Sequence, residues 1–301
     1  MRLTEQQIEQ FAAEGYLLLR GALADADLDP IIAEYEEYIG RRAAELLAEG
    51  KISDLCADEP FDRRLASICR ENNEMYSELD IMYFRGRASF EFLINDNLLD
   101  IVESLVGPEI TCSPIQHTRA KLPVGLTPDG GDPHVALWHQ DAGVALEEAD
   151  PHSILTVWLP LSPARPENGC LQMMPRVHDS GLREHYIKTG LGTVIVEDEM
   201  PEVEPMTLPM DKGDVLLMHK QTPHRSTPNN SDVVRWSMDL RYQETGTPTG
   251  RPFNPDFVAR SRSNPDAVLR DYDEWARQWV EALAEVKRIG GVKAHRWAQS
   301  M

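Results

Sequence analysis

The sharpest constraint on the fold is a change of texture at Gly107-Pro108. Ahead of it, apolar residues recur at helical spacing. Thr4 and Gln7 form a capping box, Ile8, Phe11 and Ala12 make one face, and Gly15 closes the helix. Residues 16–19 read as a short strand. Asp29-Pro30 then opens a longer helix carrying Ile31, Tyr35, Ile39, Ala43 and Leu47 on one side. Two more helices are predicted over residues 62–75 and 90–106. Beyond Pro108, short β-rich runs alternate with Gly, Pro and Asn clusters, at residues 110–120, 135–144, 154–161, 170–174, 193–196, 215–219 and 233–242. Many short strands with turn signals between them predict a jelly roll or sandwich. A last helix, from Pro265 to about residue 289, packs back on the sheet. With no repeat and no low-complexity linker, one domain is expected: a helical part over about 1–107, a β core over about 108–245 and a helical segment over about 264–290.

Composition removes several classes of partner. A chain that is 42% hydrophobic is too apolar for disorder. A formal charge of −20 leaves no basic face for nucleic acid or an anionic membrane. The acidic run Glu197-Asp198-Glu199, continuing through Glu202 and Glu204, reads as a solvated loop. No signal-peptide core and no apolar run near 18 residues occurs, so a cytoplasmic protein is expected. Cys56, Cys69, Cys112 and Cys170 are scattered without a CxxC pair, which argues for reduced, buried thiols rather than a zinc site.

The chemistry-bearing signal is Trp138-His139-Gln140-Asp141. Alternate residues of a strand share a face, so an imidazole and a carboxylate can converge on one point. Two histidines and one carboxylate on one face of an octahedral metal leave three positions open, as in non-haem Fe(II) oxygenases. The third ligand must come from far along the chain. His219, ending an apolar run, and His224, in Thr222-Pro223-His224-Arg225-Ser226, both satisfy position alone. An HxD pair by itself is a weak motif, which chance core or surface histidines explain more often than not. Arg235, eleven residues past His224 on a β-rich stretch, strengthens it. A guanidinium is a rigid fork matched to a carboxylate, here the distal one of a cosubstrate such as 2-oxoglutarate. His178 and His219 are expected to be structural, and His134, in Gly130-Gly131-Asp132-Pro133-His134, to lie on a loop close to the metal strand, where a substrate-gating role stays open.

These segments resemble the phytanoyl-CoA dioxygenase family of Fe(II)/2-oxoglutarate oxygenases. The likeness rests on Trp138-His139-Gln140-Asp141, on Glu167-Asn168-Gly169-Cys170-Leu171 with Pro175 and His178, and on His224 through Asp232 with Arg235 and Trp236. The opening Phe11-Ala12-Ala13-Glu14-Gly15-Tyr16 is also typical of it. The resemblance implies a double-stranded β-helix, a cupin-like jelly roll with N-terminal and C-terminal helices packed outside. It implies His139, Asp141 and His224 as iron ligands and Arg235 on the far carboxylate of 2-oxoglutarate. Ser226 matches a supporting hydroxyl, Trp158 a tryptophan beside the cosubstrate, and His117 a further contact that varies in type. The departures Lys121-Leu122-Pro123 and Pro175-Arg176-Val177-His178 alter loops, not ligands.

The implied cofactors are Fe(II), 2-oxoglutarate and O2, with ascorbate as a supporting reductant. The implied reaction hydroxylates a C–H bond of a small molecule and releases succinate and CO2. Related halogenases have a small residue where Asp141 stands, so chlorination is disfavoured. Three alternatives stay open: a non-catalytic ligand-binding jelly roll, a non-oxidative cupin-type isomerase, and a same-class desaturase, cyclase or epimerase.

Overall fold

A computed structural model describes residues 1–127, 136–291 and 296–298. The N-terminal part runs α1 (Glu5–Glu14), β1 (Tyr16–Leu19), α2 (Asp25–Ala48), α3 (Phe61–Cys69), α4 (Ile81–Phe84), α5 (Arg87–Leu93) and α6 (Asp96–Val106). The first helix has the capping box expected of Thr4 and Gln7, and Gly15 takes the left-handed conformation (φ 76°) that ends it. The second begins four residues before Asp29. Asp25 and Asp27 sit in its first turn, where acids suit the helix dipole, and the Asp27 carboxylate accepts the N–H of Ala24. Pro30 therefore lies inside this helix rather than at its start. The helix expected over 62–75 stops at Cys69, and the one over 90–106 is two. Asn95 breaks it, leaving helical geometry to accept the Leu98 N–H at 3.0 Å as an N-cap.

The β part comprises β2 (Glu109–Cys112), β3 (His117–Lys121), β4 (Ile154–Pro160), β5 (Leu171–Met173), β6 (His185–Lys188), β7 (Gly192–Ile195), β8 (Met206–Leu208), β9 (Val215–His219), β10 (His224–Ser226), β11 (Arg235–Glu244) and β12 (Phe257–Ser261). The run expected over 110–120 is thus two strands, split around Ser113-Pro114. A large antiparallel sheet is ordered β1-β9-β4-β11-β2-β12, with β3 also pairing with β11. It is accompanied by a smaller sheet, β10-β5-β8, and by the β6-β7 hairpin. This is the cupin-like arrangement expected, without a closed barrel. The last helix, α7 (Tyr272–Arg288), starts at an Asp271 cap, and Pro265–Ala267 forms only a 3-10 turn. Among the described residues, no helix is long and apolar enough to cross a membrane.

Side-chain alternation explains how the large sheet serves two purposes. On β11, Trp236, Met238, Leu240 and Tyr242 join the helix-facing core with Val157 and Leu159 of β4 and Val215 and Leu217 of β9. Phe61 stacks on Trp236 with ring centroids 4.8 Å apart, and Tyr35 packs at 5.3 Å. Each such fully buried side chain contributes about 1.5–3 kcal/mol. With the even positions of β11 committed to that core, period two sends Arg235, Ser237, Asp239 and Arg241 to the other face. There Trp158, Leu216 and Met218 pack against Leu171, Met173 and Leu208 of the smaller sheet. The space beside that second core holds the site.

Candidate metal centre

His139, Asp141 and His224 come together, with one donor atom from each lying within 4.8 Å of the others. His224 opens β10. His139 pairs with it through a single antiparallel bridge, each backbone N–H donating to the other's carbonyl at 3.0 and 3.1 Å. That exchange sets the two imidazoles side by side, with ring centroids 4.3 Å apart. The Nδ1 of His139 meets the Leu137 carbonyl at 2.8 Å, and the Nδ1 of His224 meets the Thr222 carbonyl at 3.0 Å. A carbonyl only accepts, so both Nδ1 atoms carry the proton and both Nε2 lone pairs are free to bind a metal. Those Nε2 atoms stand 3.8 and 3.9 Å from Asp141 Oδ1. Burial, reinforced by His224, pushes His139 down to about 4, so it is neutral at pH 7. The donor set fits a divalent ion with an open face.

Asp141 does not reach this point as expected. The predicted strand over 135–144 is absent from the described part of that stretch, where the His139 bridge gives way at Asp141 to a 3-10 turn. Two side chains of the large sheet direct the carboxylate instead. Arg241 Nη2 donates to Oδ1 at 2.7 Å, and the Thr156 hydroxyl donates to Oδ2. Arg241 and Thr156 are opposite each other in the β11-β4 register, so their side chains rise from adjacent points of one face. Burial alone would raise the Asp141 carboxyl, but Arg241, the two histidines and Thr156 outweigh it and hold the group well below the usual carboxylate range. Sequence reasoning missed both partners. A signal existed for Arg241, which lies six residues beyond Arg235 and so on the same face of a strand.

A cavity of about 320 Å³ connects the triad with Arg235, Ser226, Trp158 and His117. Arg235 is 3% exposed, donates to the Gly169 carbonyl at 3.1 Å and to the Ser237 hydroxyl, and lies over Trp158. The Ser226 hydroxyl accepts from Lys121 Nζ at 3.4 Å and from the Ala136 N–H at 3.2 Å. His117 faces Asp80 at 2.8 Å. His178 and His219 stand outside the triad and line a separate pocket. His134 lies outside the described residues.

The family model described as phytanoyl-CoA dioxygenase matches residues 11–237. The chain belongs to the phytanoyl-CoA dioxygenase family. Fe(II) and 2-oxoglutarate are this family's metal and cosubstrate, and the donor set above suits that metal. A methylphosphonate hydroxylase of Gimesia maris is 36% identical over 241 residues, covering 80% of each chain. A phytanoyl-CoA dioxygenase domain-containing protein 1 of Danio rerio is 26% identical over 285 residues, covering 84% of this chain and 94% of the relative. Among solved structures, the apo form of the non-heme monooxygenase ThoJ shares the fold with a TM-score of 0.61 at 18% identity, over 93% of this chain and 98% of its own. The epimerase SnoN, solved with Fe3+, alpha ketoglutarate and nogalamycin RO, does so at 0.54 and 19%, over 83% and 88%.

Proposed function

We propose that this member of the phytanoyl-CoA dioxygenase family hydroxylates a C–H bond of a small metabolite, with His139, Asp141 and His224 as the iron ligands. In this reading Arg235, helped by Ser226, receives the distal carboxylate of 2-oxoglutarate, with Trp158 and His117 alongside. The observation that carries it is that Arg235, a buried guanidinium, opens onto the same cavity as a two-histidine, one-carboxylate cluster. A non-oxidative cupin-type enzyme would need the cluster but not the arginine. Bound iron, with 2-oxoglutarate and O2, supplies the oxidising power as the cosubstrate leaves as succinate and CO2. The protein's part is orientation and exclusion of water. Arg241 and Thr156 fix the carboxylate, the Leu137 and Thr222 carbonyls fix the imidazoles, and Trp158 and Leu171 wall the cavity.

Hydroxylation, rather than epimerisation or ring closure, is favoured by relatives named as hydroxylases, the methylphosphonate enzyme and a 1-deoxypentalenic acid 11-beta-hydroxylase of Streptomyces exfoliatus. Both names denote acids, whereas the family's own name denotes a coenzyme A thioester. Anaerobic calorimetry with Fe(II) or Mn(II), followed by 2-oxoglutarate, tests the centre, and succinate formation tests the reaction. Wild type should bind both, and His224→Ala should lose the metal. A His224→Ala protein with wild-type metal affinity would remove that residue from the centre. Failure of wild type to bind 2-oxoglutarate would end the oxygenase reading.

A further inference from the structure

We infer that the substrate of this site is a compact anion, a short apolar skeleton bearing one acidic group, and that Arg119 receives that group. The inference rests on the oxygenase reading above. The chain carries 50 acidic and 30 basic residues, yet the cavity wall has the opposite balance, with Arg119, Arg235 and Arg241 facing Asp141 and Asp239. The charges can be assigned one by one. Arg241 bridges the two carboxylates, at 2.7 Å to Asp141 and 2.9 Å to Asp239. Together these three leave one negative charge. The ferrous ion and the 2-oxoglutarate dianion cancel, and Arg235 answers the negative charge that remains. Among the described wall residues this leaves Arg119, whose acidic neighbour Asp80 is shared with His117.

The structure treats Arg119 differently from the other two arginines. Arg235 and Arg241 are buried and bonded, whereas Arg119 is half-buried and makes no hydrogen bond or ion pair among the described residues. Asp80, whose charge it feels, is engaged by His117 at 2.8 Å. Its strand sets its direction. On β3, Thr118 and Ala120 are buried while His117 and Arg119 line the cavity. Arg119 stands opposite Ser237, one same-face step from the Lys121–Arg235 pair, about 7 Å along the strand. A guanidinium left partly open to solvent inside a cavity, and making no ion pair among the described residues, suits a ligand that comes and goes.

Size and lining give the rest of the substrate. A volume of about 320 Å³ lies at the small end of ligand pockets, which run from roughly 300 to 1,000 Å³, and the cosubstrate must share it. Ile115, Val144 and Leu191 supply apolar wall in the same cavity. A few carbons ending in a phosphonate, phosphate or carboxylate satisfy both conditions.

Calorimetry on the full chain loaded with Mn(II) and 2-oxoglutarate tests this, with propylphosphonate, butyrate and the neutral butyramide as probes. Binding of 2-oxoglutarate to wild type is measured first, so a failure of the underlying oxygenase reading shows itself separately. At least one anion should then bind saturably while butyramide does not, and the two anion arms tell a phosphonate-type group from a carboxylate. Arg119→Gln should weaken anion binding by about tenfold or more, the scale of one lost charge-assisted hydrogen bond. Its affinity for 2-oxoglutarate should stay within about threefold of wild type, inside the spread of a change that removes no direct contact. Arg119→Lys should recover part of the loss. The inference is overturned if neither anion binds wild type, if butyramide binds as well as butyrate, or if Arg119→Gln binds the anion unchanged. Equal losses of anion and 2-oxoglutarate would also overturn it, because Arg119 would then belong to the cosubstrate.

Discussion

The two sides of the cavity are built by different means. On one side, β11 is a ten-residue strand paired with β4 along one edge and with β3 and β2 along the other. Its even residues are locked in the helix-facing core, so the direction of Arg235 and Arg241 follows from the backbone alone. On the other side, Asp141 begins a 3-10 turn next to a single bridge and takes its direction from Arg241 and Thr156. A strand residue thus inherits its aim from many shared hydrogen bonds. An off-sheet residue borrows its aim from a few named side chains, and each of those is a separate point of failure.

This contrast can be broken by substitution, starting with the largest effect. On the proposed assignment, Arg235→Ala changes no backbone but leaves the distal carboxylate of 2-oxoglutarate buried without its counter-charge. Removing one half of such a pair costs about 3–5 kcal/mol, roughly a hundredfold or more in affinity. The expected outcome is a loss of that size in the 2-oxoglutarate dissociation constant with metal affinity near wild type. Arg235→Lys should restore only part of it, since an ammonium lacks the two-pronged fork. An alanine variant that binds 2-oxoglutarate normally would remove Arg235 from the cosubstrate site.

Arg241→Gln should act on the opposite quantity. Groups that orient a metal ligand without touching the metal typically contribute about 10–100-fold in affinity. Mn(II) affinity should fall on that scale, while 2-oxoglutarate binding to the metal-saturated protein changes less. Thr156→Val should cost less, on the order of 1 kcal/mol for one hydrogen bond. The double variant should fall short of additivity, because both side chains hold one carboxylate. If Arg241→Gln bound Mn(II) like wild type, the turn at Asp141 would be self-supporting and the contrast between the two sides would collapse.

What could be read in the sequence follows the same divide. The runs that became β4, β9 and β11 are long, apolar or alternating, and period two carries Arg235 to the face it occupies. His139, Asp141 and His224 do come together, but Asp141 arrives on a 3-10 turn and not on the strand that the alternation predicts. Its true supports, Thr156 and Arg241, are 15 and 100 residues away in sequence, and no local pattern ties them to it. The strands β8 and β10 are not legible in the sequence, because it is pairing with β5 from either side, not a local pattern, that makes these segments extended. The helix starts miss in both directions: Pro30 lies inside α2, which begins at Asp25, whereas Pro265 lies ahead of α7, which begins at Tyr272.

The smallest effect concerns the other strand-end histidine, His219, which position alone did not separate from His224. Its Nδ1 accepts the Gln221 N–H at 3.2 Å, and its ring meets that of His178 edge-on with centroids 5.2 Å apart. His178 in turn faces the Ala12 carbonyl at 3.0 Å, so the pair ties α1 to the end of β9. His219→Gln should therefore leave metal stoichiometry unchanged and cost only the order of 1 kcal/mol in stability at neutral pH. The pH dependence sharpens the assignment. Burial, helped by His178 and Lys220, holds His219 down to about 4 in the folded chain, against an ordinary value of 6.5. Between those values the unfolded chain takes up a proton that the folded chain refuses. The contribution is thus full above about 6.5 and lost as pH falls towards 4. The glutamine cannot titrate, so the melting-temperature advantage of wild type over His219→Gln should shrink from pH 7.5 towards pH 5 and pass through zero on the way. An advantage that grew on acidification would show that the folded state stabilises a charged His219. Loss of metal in this variant, with His224→Ala retaining it, would exchange the two histidines.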